Sequence, residues 1–407
     1  MEGGDSAPLR EPGRKCGNRF KKMRRHLVYV LNQFSSNESS HFVHVANLLE
    51  QIARRGVAVT LIIEKSDAGP TLKGDSVKVI RLPPSSAILR QWRLTRAVRR
   101  EVAGGTASVF VRIAVPAALA CVAGCVGTGA RVFYWQSGTV HAIDREHHKG
   151  FAKVRWWLSA WLPFRLVVWG VHRFVTGPAS MVEYYKDEVG VPRRKLVNLH
   201  NDVDVAAFRK AVTAHSKEVV RREMGLPAVG RVLLFVHRLS PVRRTLLYFP
   251  AILSLLESEE FHDVQVVVAG AGPELASLAA LVAKSSASGR CWLLGGVPHR
   301  ELPRLFALAD IFVNPSFAEG FPRVVIESMA AALPIVTTDA GGTRELVGPI
   351  QSEFVVSRTE PEAFKSALRT VLSDSVLRQS LSGENAAWVA RFDTPVVAEM
   401  YDRVLFE

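Results

Sequence analysis

Cysteine is scarce in this chain: Cys16, Cys121, Cys125 and Cys291 are the only four among 407 residues. None forms the paired spacing of a zinc site, and such sparse use fits a reducing cytosol. Cys121 and Cys125 fall in an Ala/Val-rich helical run and read as packed thiols. Long apolar runs are missing too. The longest, Ala107 to Val126, contains Arg112 and Pro116, which argues against a membrane-spanning helix. Leu27 to Leu31 is too short to complete a secretory signal after the basic start. Acid is outnumbered, with 38 Asp and Glu against 52 Lys and Arg and a net charge of +14. Such a field attracts anions such as lipid head groups, phosphate-bearing substrates or nucleic acid. No nucleic-acid motif accompanies the charge, which leaves the first two classes beside a plain contribution to solubility. The expected location is the cytoplasm, at most peripheral on the inner face of a membrane.

What is present is a large core. Hydrophobic residues make up 48% of a length that suits two domains. Residues 1–24 hold Gly, Pro and a basic run and read as a disordered arm. Beyond them the chain alternates short apolar strands with helices. His26 to Leu31, Val57 to Glu64, Val77 to Leu82, Val109 to Ile113, Arg131 to Trp135, Arg173 to Thr176 and Leu196 to His200 are the strands of a first cycle. A polar break at Phe208 to Lys217 precedes a second cycle: Arg231 to Val236, Val264 to Ala269, Cys291 to Leu294, Ile311 to Val313 and Ile335 to Thr338. This order predicts an α/β fold with parallel sheets. The expected divisions are 25–210, 211–390 and a last segment, 391–407.

The stretch from Asp310 to Val347 carries the chemistry. A strand ends at Asn314-Pro315-Ser316, a loop runs through Glu319-Gly320-Phe321-Pro322, and Val324, Val325, Met329 and Ala332 recur at helical spacing. Glu319 lies in the loop and Glu327 eight residues later on the helix. Between them lie the free N–H groups of a helix N-terminus, a seat for phosphate. Carboxylates on both sides of an anion seat suit a ligand with hydroxyls at each end and phosphate between, as in a nucleotide sugar.

This segment resembles the donor-binding signature of the retaining glycosyltransferases of family 4 (glycosyl transferases group 1), in which two glutamates are separated by seven residues. FAEGFP, the ESMAA helix and ALPIVTTDAGGTREL carry the resemblance, which extends over most of residues 173–350 and more weakly over 25–150. It implies the GT-B architecture: two Rossmann-like domains facing across a cleft, with the last helix packed back on the first. It also implies that Glu319 contacts the donor sugar and Glu327 the nucleotide ribose, with Gly320, Phe321, Arg323 and Val324 lining the donor. After the first strand of the second cycle, His237-Arg238-Leu239-Ser240-Pro241-Val242-Arg243-Arg244 parallels a glycine-arginine-leucine pattern with a later lysine. Arg238 and Arg243 then hold the diphosphate, and Arg244 is a rival if the register slips. Fixed cations suit a leaving group that gains negative charge. The turn Ala269-Gly270-Ala271-Gly272-Pro273 has dinucleotide-fingerprint spacing, but no acidic residue closes the following strand, against a dehydrogenase. By resemblance Gly270 belongs to the donor site and Val297 lies near the nucleobase.

The acceptor side departs from the family. The loop Asn32 to His41 lacks the usual glycine pair; Ser39 and His41 are candidates for acceptor hydroxyls, with helix capping the plainer role for a serine there. Gln136 stands where a histidine is usual and His141 follows, so either is a substitute. Arg112, at a strand end, suits an acidic group on the acceptor or a structural carboxylate. Asn201-Asp202-Val203-Asp204 precedes the interdomain crossing, and its Asp-x-Asp spacing reads as hinge geometry rather than a metal site. The aromatic and basic helix from Lys149 to Trp169 is a candidate for contact with an anionic membrane surface. The reading is therefore a metal-independent, retaining glycosyltransferase without a cofactor. Its co-substrate is a nucleoside-diphosphate sugar (UDP or GDP type) and its acceptor a glycan or lipid-linked glycan of cell-surface assembly. A GT-B sugar-nucleotide epimerase and a non-catalytic nucleotide-sugar-binding protein are the alternatives.

Overall fold

The computed structural model describes residues 25–34, 43–67, 70, 72, 77–104, 107–138 and 151–407. The strands of the first cycle are β1 (His26–Phe34), β2 (Ala58–Ser66), β3 (Val77–Arg81), β4 (Ala107–Arg112), β5 (Arg131–Trp135), β6 (Arg173–Thr176) and β7 (Leu196–Asn198). They form one sheet in the order β3-β2-β1-β4-β5-β6-β7, every pair parallel. Those of the second are β8 (Val232–Val236), β9 (Gln265–Ala269), β10 (Cys291–Gly295), β11 (Ile311–Asn314), β12 (Ile335–Thr338) and β13 (Val355–Val356). Their order is β10-β9-β8-β11-β12-β13, again parallel. The predicted pair of parallel α/β sheets is thus observed.

Helices cover both faces of each sheet, which explains strands that read as unbroken apolar runs rather than alternating ones. In the first sheet, Ala87–Val102, Val115–Cys125 and Leu162–Gly170 pack on one side, with Leu94, Val98, Cys121 and Phe164 buried among them. Val43–Arg54 lies on the other side, and the final helix, Thr394–Phe406, packs against it. That final helix buries Val397, Ala398, Tyr401 and Leu405 into the first domain's core. Its last two turns are held by Arg25 on Asp402 at 2.8 Å and by the Ser108 hydroxyl on the Leu405 carbonyl at 2.5 Å.

The polar break expected at Phe208 to Lys217 is not a linker. Val205–Thr213 is a helix that buries Val205, Phe208 and Val212 in the second domain's core. The crossing lies earlier, at residues 199–204, where Asp204 caps that helix by accepting from the Ala207 N–H at 3.0 Å. The chain passes back beside it. Val203 N–H donates to the Phe392 carbonyl at 3.0 Å, and Thr394 N–H to the Val203 carbonyl at 3.2 Å. Buried Asp202 accepts from the Thr394 hydroxyl at 2.8 Å. Both passages are thereby pinned to one another.

In each sheet the strand order reverses beside the first strand, between β1 and β4 and between β8 and β11. Open parallel sheets bind ligands at the carboxyl edge of such a switch point.

Candidate functional site

The switch point of the second sheet brings together two loops far apart in sequence. The loop after β8 carries Arg238 to Arg244 and the loop after β11 carries Ser316 to Pro322. The Arg243 guanidinium forms an ion pair with the Glu319 carboxylate. Glu319 is only 7% exposed. Burial pushes Arg243 down to about 10, still charged at neutral pH. Its Nη1 also reaches the Ser316 hydroxyl at 3.3 Å, and its carbonyl accepts from the Phe317 N–H at 2.9 Å. Arg244 turns away: it adopts a left-handed conformation (φ 53°) and its guanidinium stacks over the Phe317 ring at 3.7 Å. Arg238 is exposed and makes no hydrogen bond or ion pair among the described residues.

Beneath these arginines lies His237, which stands where glycine was expected. Its Nε2 meets the buried Thr245 hydroxyl at 2.8 Å, and it faces Asn314. Burial, helped by the nearby Arg243 charge, pushes its pKa down to about 3, so the ring is neutral. A neutral ring there adds no further positive charge under a cationic loop.

Glu327 sits one helical stretch on, in Arg323–Ala330, and is 2% exposed. Its Oε1 meets His299 Nε2 at 3.0 Å and Arg323 Nη2 at 3.6 Å. His299 was not singled out from the sequence. It comes from the segment after β10, next to Val297, which packs partly buried on the second core. Nothing local in the sequence joins His299 to Glu327; only the helix laid beside that segment does.

The first domain closes on this loop. Ser137, just beyond β5, donates its hydroxyl to the Gly320 carbonyl at 2.7 Å. A Cβ at Gly320 would lie 3.0 Å from the Ser137 carbonyl carbon, so the approach favours a residue without a side chain. Asn201 donates to the Phe321 carbonyl at 3.4 Å. Glu345 accepts from the Ala179 and Ser180 N–H groups at 2.7 and 2.8 Å, satisfying a helix start of the first domain from the second.

Some expected contacts fall elsewhere. The Phe321 ring is buried against His200 and Phe392, with centroids 5.5 and 6.2 Å away, which places the ring in the joint between the domains. Gly270 is glycine because a Cβ would stand 2.0 Å from the His237 carbonyl oxygen. Its turn packs on the loop after β8, with Leu239 N–H donating to Ala271 at 3.1 Å, and the dinucleotide-like spacing serves that packing. Val324 packs partly buried on the core, while Arg323 points its guanidinium toward Glu327. Arg112 is turned inward: it donates to Asn201 Oδ1 at 2.9 Å, meets His44 Nε2 at 3.2 Å and lies over Trp135 at 4.0 Å. It thus acts as an internal tie. Gln136 is buried, with Oε1 accepting from the Tyr134 hydroxyl at 2.8 Å. Ser39, His41 and His141 lie outside the described residues.

Known proteins match both halves. The family profile described as Glycosyl transferases group 1 matches residues 216–388, and that of Glycosyltransferase Family 4 matches residues 42–207. A D-inositol 3-phosphate glycosyltransferase of Thermobispora bispora is 29% identical over 242 residues, 57% of this chain and 55% of the relative. A putative teichuronic acid biosynthesis glycosyltransferase, TuaC, of Bacillus subtilis is 28% identical over 226 residues, 52% and 54% of the two chains. The chain spans about half the length of the curated relatives it matches. Among solved structures, Anabaena HepE in complex with UDP and glucose aligns with a TM-score of 0.70 at 15% identity, covering 93% of this chain and 99% of that one. WaaG, a glycosyltransferase involved in lipopolysaccharide biosynthesis, aligns at 0.66 and 15%, with the same coverage. At such identities the likeness is one of fold, and the fold is GT-B.

Proposed function

The chain belongs to the group 1 glycosyltransferases of GT-B architecture, and from that premise we propose that it moves a sugar from a nucleoside-diphosphate donor to an acceptor hydroxyl with retention of configuration. One observation carries the reading. The buried Arg243–Glu319 pair stands at the switch point of the second sheet, in a loop that touches the first domain through Gly320. A cation and a carboxylate that satisfy one another there are the two groups a sugar diphosphate would exchange for its own phosphate and hydroxyls.

In this reading the donor's anomeric C–O bond breaks as positive charge develops on the sugar ring. The departing diphosphate takes the electron pair, and Arg238 and Arg243 meet its charge. The acceptor oxygen then bonds to the anomeric carbon on the same face, and its proton passes to a phosphate oxygen of the leaving group. Glu319 holds the sugar hydroxyls, while Glu327 receives the ribose hydroxyls on the oxygen not engaged by His299. Arginines rather than a divalent ion offset the diphosphate charge, so the reaction would be metal-independent. The names of relatives that act on inositol phosphate and in teichuronic acid synthesis favour a hydroxyl-rich acceptor in cell-surface assembly. Thermal shift with UDP- and GDP-sugars, followed by slow donor hydrolysis, tests the reading. Binding without any sugar release would leave a binding protein, and conversion of the donor to its epimer would point to the epimerase.

We also infer a membrane-facing side. Trp157, Leu158, Leu166 and Trp169 are exposed along Phe151–Gly170, Trp169 by 82%, beside exposed Lys153 and Arg155. A π-helical turn at Trp157–Trp161 interrupts this helix where Pro163 follows. Among the described residues no helix is long and apolar enough to cross a membrane, whereas aromatic and basic groups together suit the interface. Charge reversal at Lys153 and Arg155 should release the protein from phosphatidylserine vesicles in sedimentation; unchanged binding removes the inference.

A further inference from the structure

The loop after β12 stands between the Glu319 loop and the first domain and touches both. Gly341 and Gly342 have φ of 62° and 75°. A Cβ at Gly341 would collide with the Glu319 carbonyl, and one at Gly342 with the Ser180 hydroxyl and Pro178. Both positions therefore need glycine, for angle and for space. Three residues on, Glu345 grips the first domain with both carboxylate oxygens. Oε2 accepts from the Ala179 N–H at 2.7 Å and Oε1 from the Ser180 N–H at 2.8 Å. Those amides open the helix Ala179–Asp187, whose N-cap is Pro178, a residue with no polar side chain to cap it. On its own side the loop is fixed by Arg344, which pairs with Asp339 at 3.2 Å and donates to the Ser352 carbonyl at 2.7 Å.

The far end of that helix closes a circuit. Buried Tyr185 donates its hydroxyl to the Gly138 carbonyl at 3.1 Å, and the residue before, Ser137, donates to the Gly320 carbonyl. Gly320 adjoins Glu319, on whose backbone Gly341 is packed. Glu345, the helix, the Ser137-Gly138 turn, the Glu319 loop and the glycine pair thus form a closed ring of contacts across the two domains. We propose that Glu345 is a positioning residue for the Glu319 loop. By holding the first domain's helix from the second, it fixes where the Ser137-Gly138 turn meets Gly320, and so where the Glu319 carboxylate stands. Glu345 is exposed, so water readily replaces its hydrogen bonds and its contribution to stability is small. Its value is geometric. A serine at position 178 would cap the helix as well from within the first domain, but it would not tie that helix to the second. That Glu345 serves sugar transfer rests on the transferase reading; that it sets the Glu319 loop does not.

Hydrogen exchange followed by mass spectrometry on the full chain separates clasp from cap. Glu345→Ala should speed exchange about tenfold in peptides covering residues 179–187 and 315–322, while the melting temperature falls by less than about 3 °C. Adding Pro178→Ser supplies a cap of the helix's own. It should restore residues 179–187 and leave 315–322 fast. Unchanged exchange over 315–322 in Glu345→Ala, or its return to the parent rate in the double variant, would overturn the proposal. UDP-glucose, UDP-N-acetylglucosamine and GDP-mannose serve as hydrolysis probes. For any that the parent turns over, kcat should fall about tenfold in both variants, the scale of a slight misplacement. The donor KM should stay within about twofold, since Arg238, Arg243 and Glu327 are untouched. A raised KM with kcat kept would also overturn it. A parent that turns over none of the three counts against the transferase reading, and the exchange pattern still decides the clasp.

Discussion

The carboxyl edges of the two sheets handle buried charge in opposite ways. On the second, each buried carboxylate has found a cation or imidazole from a distant loop: Glu319 takes Arg243, and Glu327 takes His299 and Arg323. On the first, Glu64 is met by Gln91 and Arg90 from a single helix of its own domain, while Arg112 is consumed by Asn201, His44 and Trp135. The second edge would meet a ligand by exchanging partners, whereas at the first the Arg112 charge is already spent on internal ties. The difference is one of preorganisation: paired groups already stand in the geometry that they will hold around charge.

Four changes would break or sharpen that contrast. Glu319→Ala should act most strongly, reducing sugar transfer about 10²- to 10³-fold, the usual scale for losing one transition-state contact. Nucleotide affinity measured by calorimetry should survive it; a transfer rate within tenfold of the parent would end the assignment. Glu327→Ala should weaken UDP or GDP binding by roughly ten- to a hundredfold, as expected for a hydrogen-bonding charged group. Equal affinities before and after would show that the ribose goes elsewhere. His299→Ala acts only through Glu327, and His299 is partly exposed, so roughly a two- to fivefold rise in donor KM with kcat unchanged is the expected scale. A fall in kcat alone would make His299 something other than a positioning residue.

The mildest effect concerns pH. His237 has a folded pKa of about 3 against 6.5 for a free ring, so between those values the unfolded chain binds a proton that the folded chain refuses. Stability therefore rises with pH across this window and falls on acidification. Going from pH 7 to 5.5 should cost about 1 kcal/mol from this residue, or roughly 2–4 °C of melting temperature. His237→Asn should flatten that slope in a series of melting curves. An unchanged slope would mean that the ring does not stay neutral under the arginines.

Much of the second edge was legible in the sequence because its chemistry is contiguous. The loop and helix from Glu319 to Glu327 place both carboxylates by local geometry alone, and the β8 loop follows its own strand. What sequence could not supply was the meeting of separate segments. His299 reaches Glu327 from the stretch after β10, and Glu64 meets Gln91 and Arg90 from the helix after β3. The place of the Phe321 ring was hidden for a related reason. Its neighbours in sequence are polar loop residues, yet its ring is aimed by His200 and Phe392, which arrive from the two crossings. Gly270 illustrates the converse, since a familiar glycine spacing arose from one loop lying on another. The polar stretch Phe208 to Lys217 suggested a boundary by composition, but the buried side of helix Val205–Thr213 carries the information that composition averaged away.

The side-by-side crossings have a mechanical consequence. Strands that leave and return at separate places would tether the halves at two anchors and allow twist as well as tilt. Here Val203 is stitched to Phe392 and Thr394, and Asp202 to Thr394, so departure and return share one narrow strap. A body hung from one strap swings like a door. Any relative motion of the halves would therefore show chiefly as a change of angle, and the Ser137–Gly320 contact is where it would register.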